Sequence, residues 1–387
     1  MTMAMADRAK TLRRQGVEIV DLSAGEPDFE TPEHIKQAAI RALEAGRTKY
    51  TKNVGIDELR AAVCQKLARD NDLRYRPEEI IISNGGKHVL FNAFMALLNP
   101  GDELIIFAPY WVTFPAMATL AGATPVIVDT RESRGYEPQI EDVRRALTDR
   151  TKAILINSPG NPTGAVYSGE SVEHLYQLAR DQDLFIISDE CYDRVAYEET
   201  HTPPAVFEER PERVVTVQSV SKPYAMTGWR IGYGAASTDV IDQMAKIQSQ
   251  STSNANSIAQ YAAVEALTGD QAFLGEMVRH YRERRDFVLA RLAEMPGVEC
   301  ATPRGAFYVF PKMEAFYGAS VDGQRIENSL DLANFLLETA HVVTVPGAPF
   351  GADAHIRLSY ATSMKELERG MTRMQTALKK IWDQKTE

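Results

Sequence analysis

Lys222 lies in the stretch SVSKPYAMTGWRIGYG, residues 219–234. It follows the apolar run VVTVQSV and precedes Pro223, which biases it away from helix. An amine at the end of a core strand loses water, and a desolvated lysine shifts its pKa downward and becomes a nucleophile. Three chemistries fit that position. Ser219-Val-Ser-Lys222 has the S-x-x-K spacing of a serine nucleophile with a lysine partner. Gly232-Tyr-Gly234 partly matches a dinucleotide-binding loop. The third is a Schiff base between the amine and an aldehyde.

Other polar residues also follow apolar runs directly. EIIIS leads into Asn84-Gly85-Gly86-Lys87 and then the helical run HVLFNAFMALL. Two glycines at a helix N-terminus make either an anion site from backbone N–H groups or a plain tight turn. ELIIFAP leads into Tyr110 and Trp111, and the tryptophan either stacks on a planar ligand or packs in the core. KAILINSP leads into Gly160-Asn161-Pro162-Thr163-Gly164, turn chemistry that leaves Asn161 available to a ligand. LFIIS leads into Asp189-Glu190-Cys191-Tyr192. A carboxylate there is costly unless a cation pairs with it, and a protonated ring nitrogen on a cofactor would serve. In HIRLSYA, Arg357 is either a surface arginine or a bidentate carboxylate clamp. Together these residues specify a planar, phosphorylated aromatic with a basic ring nitrogen and an aldehyde. That is pyridoxal 5′-phosphate, held through Lys222 with Asp189 at the ring nitrogen.

Residues that close strands share a site when the strands are parallel. The runs EIIIS, ELIIFAP, TPVIVD, KAILINSP, LFIISDE and VVTVQSV alternate with amphipathic stretches such as VEHLYQLARDQD, the rhythm of an α/β domain. This domain is expected over residues 30–280. TPEHIKQAAIRALEAG predicts a helix with Thr31 as N-cap, Pro32 at its first position and Gly46 at its end. MVRHYRERRDFVLARLAEM predicts a long charged helix, after which shorter strands (AFYVF, HVVTV, HIRLSYA) mix with helices. The last helix is capped by Ser363 with Glu366 three residues on, and carries the stripe Leu367, Met371, Met374 and Leu378. A smaller α+β domain is expected from residues 1–29 and 281–387, including a basic helix closed at Gly16.

The length of 387 residues suits about two domains. A net charge of −10 without long like-charge runs argues against nucleic acid or anionic membranes as partners. Cys64, Cys191 and Cys300 are scattered with no C-x-x-C, and the histidines form no H-E-x-x-H, so no metal is expected. MTMAMADRAKTLRRQG has no signal-peptide core and no later run reaches spanning length. The expected location is the cytoplasm.

The blocks NSPGNPTGAVYS, SDECYDRVAY and SVSKPYAMTGWRIGY occur in this order, together with LSAGEPDFETPEHI, TKYTKNVGIDELR, SNGGKHVLFNAF, APYWVTFP, RGAFYVFP, VPGAPFG and IRLSYA. The chain thereby resembles fold-type-I, class I aminotransferases, and in particular the bacterial aspartate aminotransferase branch. The resemblance implies a large cofactor-binding domain whose mostly parallel seven-stranded sheet is sandwiched by helices. It implies that Lys222 carries the cofactor and moves a proton, that Asp189 pairs with the ring nitrogen, and that Tyr192 and Asn161 hydrogen-bond the ring oxygen. Trp111 would stack on the ring. Gly86, Lys87, Ser219 and Arg230 would surround the phosphate, with Tyr50 arriving from the other subunit of a homodimer. Arg357 would hold the substrate α-carboxylate, helped by Asn161 and the backbone at Gly25, with Trp111 also lining the substrate side. Lys87 resembles the lysine that binds the distal carboxylate of aspartate, so aspartate and 2-oxoglutarate are the expected pair. Prephenate, kynurenine, alanine or aromatic amino acids are alternatives, as is a β-lyase of the same fold. Pro223 departs from the small residue common after the lysine. The family's leader with its P-S-x-T segment is expected to be cut to Thr2 or to lie upstream.

The rival chemistries lack their companions. An S-x-x-K hydrolase needs S-D-N and K-T-G, and the chain has SDE at 188–190 and no K-T-G. GYGAAS ends in Ser237 where a dinucleotide loop needs glycine. A ligand-sensing regulator needs a DNA-binding domain, and no basic helix-turn-helix precedes residue 20.

Overall fold

The structure, a computed structural model, describes residues 2–198, 200–208, 212–321 and 323–386. Seven strands form one sheet: β1 (Ile80–Ser83), β2 (Glu103–Ala108), β3 (Thr124–Asp129), β4 (Thr151–Asn157), β5 (Phe185–Asp189), β6 (Val214–Ser219) and β7 (Gly232–Ala235). Their spatial order is β1-β7-β6-β5-β4-β2-β3. Strand β7 runs antiparallel to both neighbours, and the other pairs are parallel. The sheet is therefore the mostly parallel seven-stranded one expected.

The inner strands read as unbroken apolar runs because both faces are covered. Successive residues feed opposite cores. Ile105, Ile154 and Ile186 join one cluster, while Leu104, Leu155 and Ile187 join the other. Edge strand β3 is more open, with Ile127 exposed.

A second set of elements is built from both ends of the chain. Val20–Asp21 pairs in parallel with Val342–Val343. Val345–Pro346, Ile356–Ser359 and Tyr308–Val309 form a three-stranded antiparallel sheet. The helices Ala272–Ala293 and Met364–Thr386 are its long members. Leu367, Met371, Met374 and Leu378 are buried as one stripe, and Ser363 Oγ accepts the Glu366 N–H at 3.2 Å. The first helix, Thr2–Arg14, ends before Gly16, whose φ is +85°. Ala9 and Leu12 on that helix pack with Leu337 and Val343. We propose that the two units divide as 30–280 against 1–29 with 281–387, with the helix Ala272–Ala293 running through the junction.

One predicted cap differs. The helix runs Glu33–Glu44 with Pro32, not Thr31, at the cap position. The Thr31 hydroxyl instead donates to the Ala225 carbonyl at 2.7 Å and accepts from Trp229 Nε1 at 3.1 Å. Proline already presets the first turn, so the threonine is free to pin the loop that carries Lys222. No helix among the described residues is long and apolar enough to cross a membrane.

Candidate active site

Strand register brings the singled-out residues to one edge. Asn157 pairs with Asp189, and Asp189 with Val217, two residues before Ser219. Ser83 and Ser219 both face Gly232 across β7, so the turn after β1 opens at the same edge. A cavity of about 630 Å³ lies there, between this edge and the strands Val345–Pro346 and Ile356–Ser359. Gly25, Gly86, Lys87, Trp111, Asn161, Asp189, Tyr192, Ser219, Lys222, Arg230 and Arg357 all line it. Tyr50 does not, and is 92% exposed.

One end of the cavity is an anion cradle. The helix Gly86–Leu97 points its N-terminus at it, with Gly85 at φ +90°. The glycines are required by crowding. A Cβ on Gly85 would stand 2.5 Å from Arg230 Nη2, one on Gly86 2.6 Å from Cys191 Sγ, and one on Gly232 2.3 Å from the Gly86 nitrogen. Arg230 sits in left-handed backbone at φ +57° and is braced by the Thr227 carbonyl at 2.9 Å and the Asn84 carbonyl at 3.3 Å. Ser219 lies buried at the end of β6. Backbone N–H groups, a serine hydroxyl and a guanidinium thus converge where a phosphate would bind. Lys87 Nζ stands 4.7 Å over the Trp111 ring, and burial followed by the charge of Arg230 lowers its pKa.

The centre holds Asp189 and Lys222. Asp189 is buried, accepts the Cys191 N–H at 3.2 Å, and makes no ion pair among the described residues. Burial pushes its pKa up to about 6. Lys222 lies in a turn, as Pro223 requires, and its amine donates to the Gly25 carbonyl. Loss of water pushes its pKa down to about 8. The Tyr192 hydroxyl shares a 2.9 Å hydrogen bond with Tyr308, and burial raises its pKa well above the usual phenol range. Asn157 ties the centre together: its Oδ1 accepts the Asn161 N–H at 3.0 Å and its Nδ2 donates to the Asp189 carbonyl at 3.1 Å.

At the far wall Arg357 is 8% exposed. Its Nη1 donates to Asn161 Oδ1 at 3.0 Å and its Nη2 to the Ser23 carbonyl at 2.9 Å. The guanidinium lies 4.4 Å over the Tyr308 ring and 5.2 Å over Phe350. Its Nε is buried without a hydrogen-bond partner among the described residues. A buried cationic donor left unpaired costs free energy unless an oxyanion meets it.

Tyr308 and Asn157 escaped the sequence reading. Tyr308 sits among aromatics in RGAFYVFP, where a core tyrosine and a site tyrosine look alike. Asn157 closes β4, and the rule applied to Asp189, a polar residue ending an apolar run, would have found it.

The description "Aminotransferase class I and II" matches residues 17–374 of the chain. An aspartate/prephenate aminotransferase of Thermus thermophilus is 47% identical over 381 residues, covering 97% of this chain and 95% of that protein. The solved structure of an aspartate aminotransferase from Thermus thermophilus with maleate superposes with a TM-score of 0.92 at 46% identity, covering 97% of this chain and 96% of that one. That of the aspartate aminotransferase from Rhizobium meliloti gives a TM-score of 0.94 at 41% identity, covering 98% and 96%.

Proposed function

The chain belongs to the class I and II aminotransferases, and from that premise we propose that it moves the amino group of aspartate to 2-oxoglutarate with pyridoxal 5′-phosphate at Lys222. Enzymes of this family use that cofactor, which when bound supplies an aldehyde for the amine and a ring that accepts electrons. The cradle at Gly85, Gly86 and Arg230 and the cation-seeking Asp189 fit its two ends.

The residues divide the work. Lys222 would hold the cofactor through its amine, and that amine is placed to take the proton from the substrate Cα. An amine near pKa 8 is a fit base at neutral pH. Asp189 holds the proton on the ring nitrogen, and that cation offsets the cost of its own burial. Tyr192 and Asn161 would steady the ring oxygen, and Trp111 would cover the ring face. Arg357 grips the α-carboxylate, which orients the Cα–H bond toward the base. Ser219, Lys87 and Arg230 hold the phosphate end, and Lys87 also reaches the distal carboxylate.

The meeting of Lys222, Asp189 and the buried guanidinium of Arg357 around one cavity carries this reading. The choice of a dicarboxylic substrate is supported by Lys87 and by the Thermus structure with maleate, itself a dicarboxylate. Prephenate is the second reading, since the Thermus relative's name pairs it with aspartate. Exposed Tyr50 supports a homodimer in which it completes the partner's phosphate site. Three unpaired cysteines suit the reducing cytoplasm.

The test adds single amino acids to the cofactor-loaded protein and follows the visible absorption band. Aspartate is expected to bleach it, and 2-oxoglutarate to restore it. Release of ammonia and a 2-oxo acid without an acceptor would make the protein a lyase instead.

A further inference from the structure

A buried polar array stands behind the cavity wall. Lys66, on the helix Asp57–Asn71, is 1% exposed. Its amine donates to the Asp193 carboxylate, to the Gln218 side-chain oxygen and, at 2.8 Å, to Asn71 Oδ1. Gln218 Nε2 donates in turn to Glu190 Oε2 at 2.9 Å, and the Tyr233 hydroxyl donates to Gln218 Oε1 at 3.1 Å. Glu190 also accepts from Ser188 Oγ at 2.8 Å and lies 3.3 Å from His201 Nε2. Lys66, Gln218 and Glu190 do not line the cavity.

The chain positions of the array follow a rule. Gln218 precedes Ser219, Glu190 follows Asp189, and Asp193 follows Tyr192. Gln218 and Ser219 lie in strand β6, where neighbouring residues point to opposite sides. Gln218, Glu190 and Asp193 are thus each the residue next to one that lines the cavity.

We infer that Lys66 is a positioning residue for the cofactor: its grip on Asp193, Gln218 and Asn71 fixes the segments that present Asp189, Tyr192 and Ser219. The inference rests on the pyridoxal phosphate reading above. Stability alone does not explain the array, because well-packed apolar residues often replace a buried ion pair without loss. A charged lysine with three defined acceptors instead sets the register of two strand ends against each other.

The experiment measures the dissociation constant of pyridoxal phosphate from the cofactor-free protein, the position of its visible band, and the melting temperature without cofactor. Lys66→Met is expected to weaken cofactor binding by about tenfold or more, as sub-ångström placement is lost, and to shift the band. The KM for aspartate should hold, because Arg357 is carried on other elements. Lys66→Met/Asp193→Leu removes both charges and is expected to regain the melting temperature while cofactor binding stays weak. Asp193→Asn keeps shape and hydrogen bonding, so it folds, and is expected to bind cofactor several-fold more weakly. Wild-type affinity and band in the double variant, or in Asp193→Asn, would reduce the array to a structural one and overturn the inference. Lys222→Ala is titrated in parallel. Loss of its borohydride-reducible link, with the link kept in the Lys66 variants, separates the two claims. A link that survives Lys222→Ala would sink the cofactor reading and this inference with it.

Discussion

Lys66 and Lys222 flank the same strand ends, one packed behind the sheet and the other opening on the cavity. The amine of Lys66 meets three acceptors, one of them the Asp193 carboxylate. Lys222 has the Gly25 carbonyl and a ring, Phe307, 5.9 Å away. Loss of water lowers its pKa, and Arg357 and Arg230 lower it further against the pull of Cys191 and Glu26. Enclosure alone therefore does not make a nucleophile. The counter-charge decides: a lysine given a carboxylate becomes a fixture, and one denied it becomes a reagent. The carboxylates show the mirror image. Glu190 is held below its usual range despite burial, by His201, Gln218 and Ser188, while its neighbour Asp189, with no ion pair among the described residues, is raised by burial to about 6.

The largest break in this comparison comes from removing the reagent. Lys222→Ala is expected to cut transamination by about 10³-fold or more, since both the covalent anchor and the proton carrier go. Steady-state kinetics with aspartate and 2-oxoglutarate measure it, and near-normal turnover would contradict the assignment.

Next comes the unpaired carboxylate. Asp189→Ala is expected to lower turnover on the order of 10²-fold, as the charge that steadies the ring nitrogen is lost, while the fold survives. The raised pKa gives the sign of a second effect. Between pH about 4 and 6 the unfolded chain has released this proton and the folded one still holds it. Stability attributable to this group therefore falls as pH rises through that window, by up to about 3 kcal/mol. Melting curves of cofactor-free wild type and Asp189→Asn should diverge with rising pH across it, with the wild type losing ground.

How much of this was legible in the sequence follows the same division. Lys222 and Asp189 stood out because each contradicts its setting, a charge closing an apolar run. The inner strand runs were legible because burial on both faces leaves few polar positions to blur them, while the edge run TPVIVD was legible from its β-branched residues despite its exposure. Lys66 was not legible. It sits in DELRAAVCQKLARDN, where a lysine reads as a solvated helix face, and its partners lie 127 and 152 residues away. Tyr308 was hidden among aromatics for the same reason: its role exists only once Tyr192 is beside it. Thr31 was misread because a cap rule is local, and its partner Ala225 is not.

The proton on Lys222 offers a milder test. The cofactor-free amine must be neutral to attack an aldehyde. With a pKa of about 8, its recombination rate with pyridoxal phosphate is expected to rise about tenfold per pH unit below that point and to level off above it. Stopped-flow traces of the visible band give the profile. A profile that levels off only near pH 10 would mean the amine is no more poised than a solvated lysine.

Lys87 is the intermediate case and the smallest effect. It is half-buried like a fixture, with a ring under it and Arg230 beside it, and loss of water followed by the charge of Arg230 lowers its affinity for its proton. A lysine so placed is missing an anion. If the cofactor phosphate alone supplies it, Lys87→Ala should weaken every amino donor equally. If the distal carboxylate of the substrate supplies it, the loss falls on dicarboxylic donors. One charge-assisted hydrogen bond is worth about tenfold, so KM for aspartate is expected to rise by about that factor while KM for alanine barely moves. Parallel kinetics with the two donors decide between them, because the phosphate contribution cancels in the ratio.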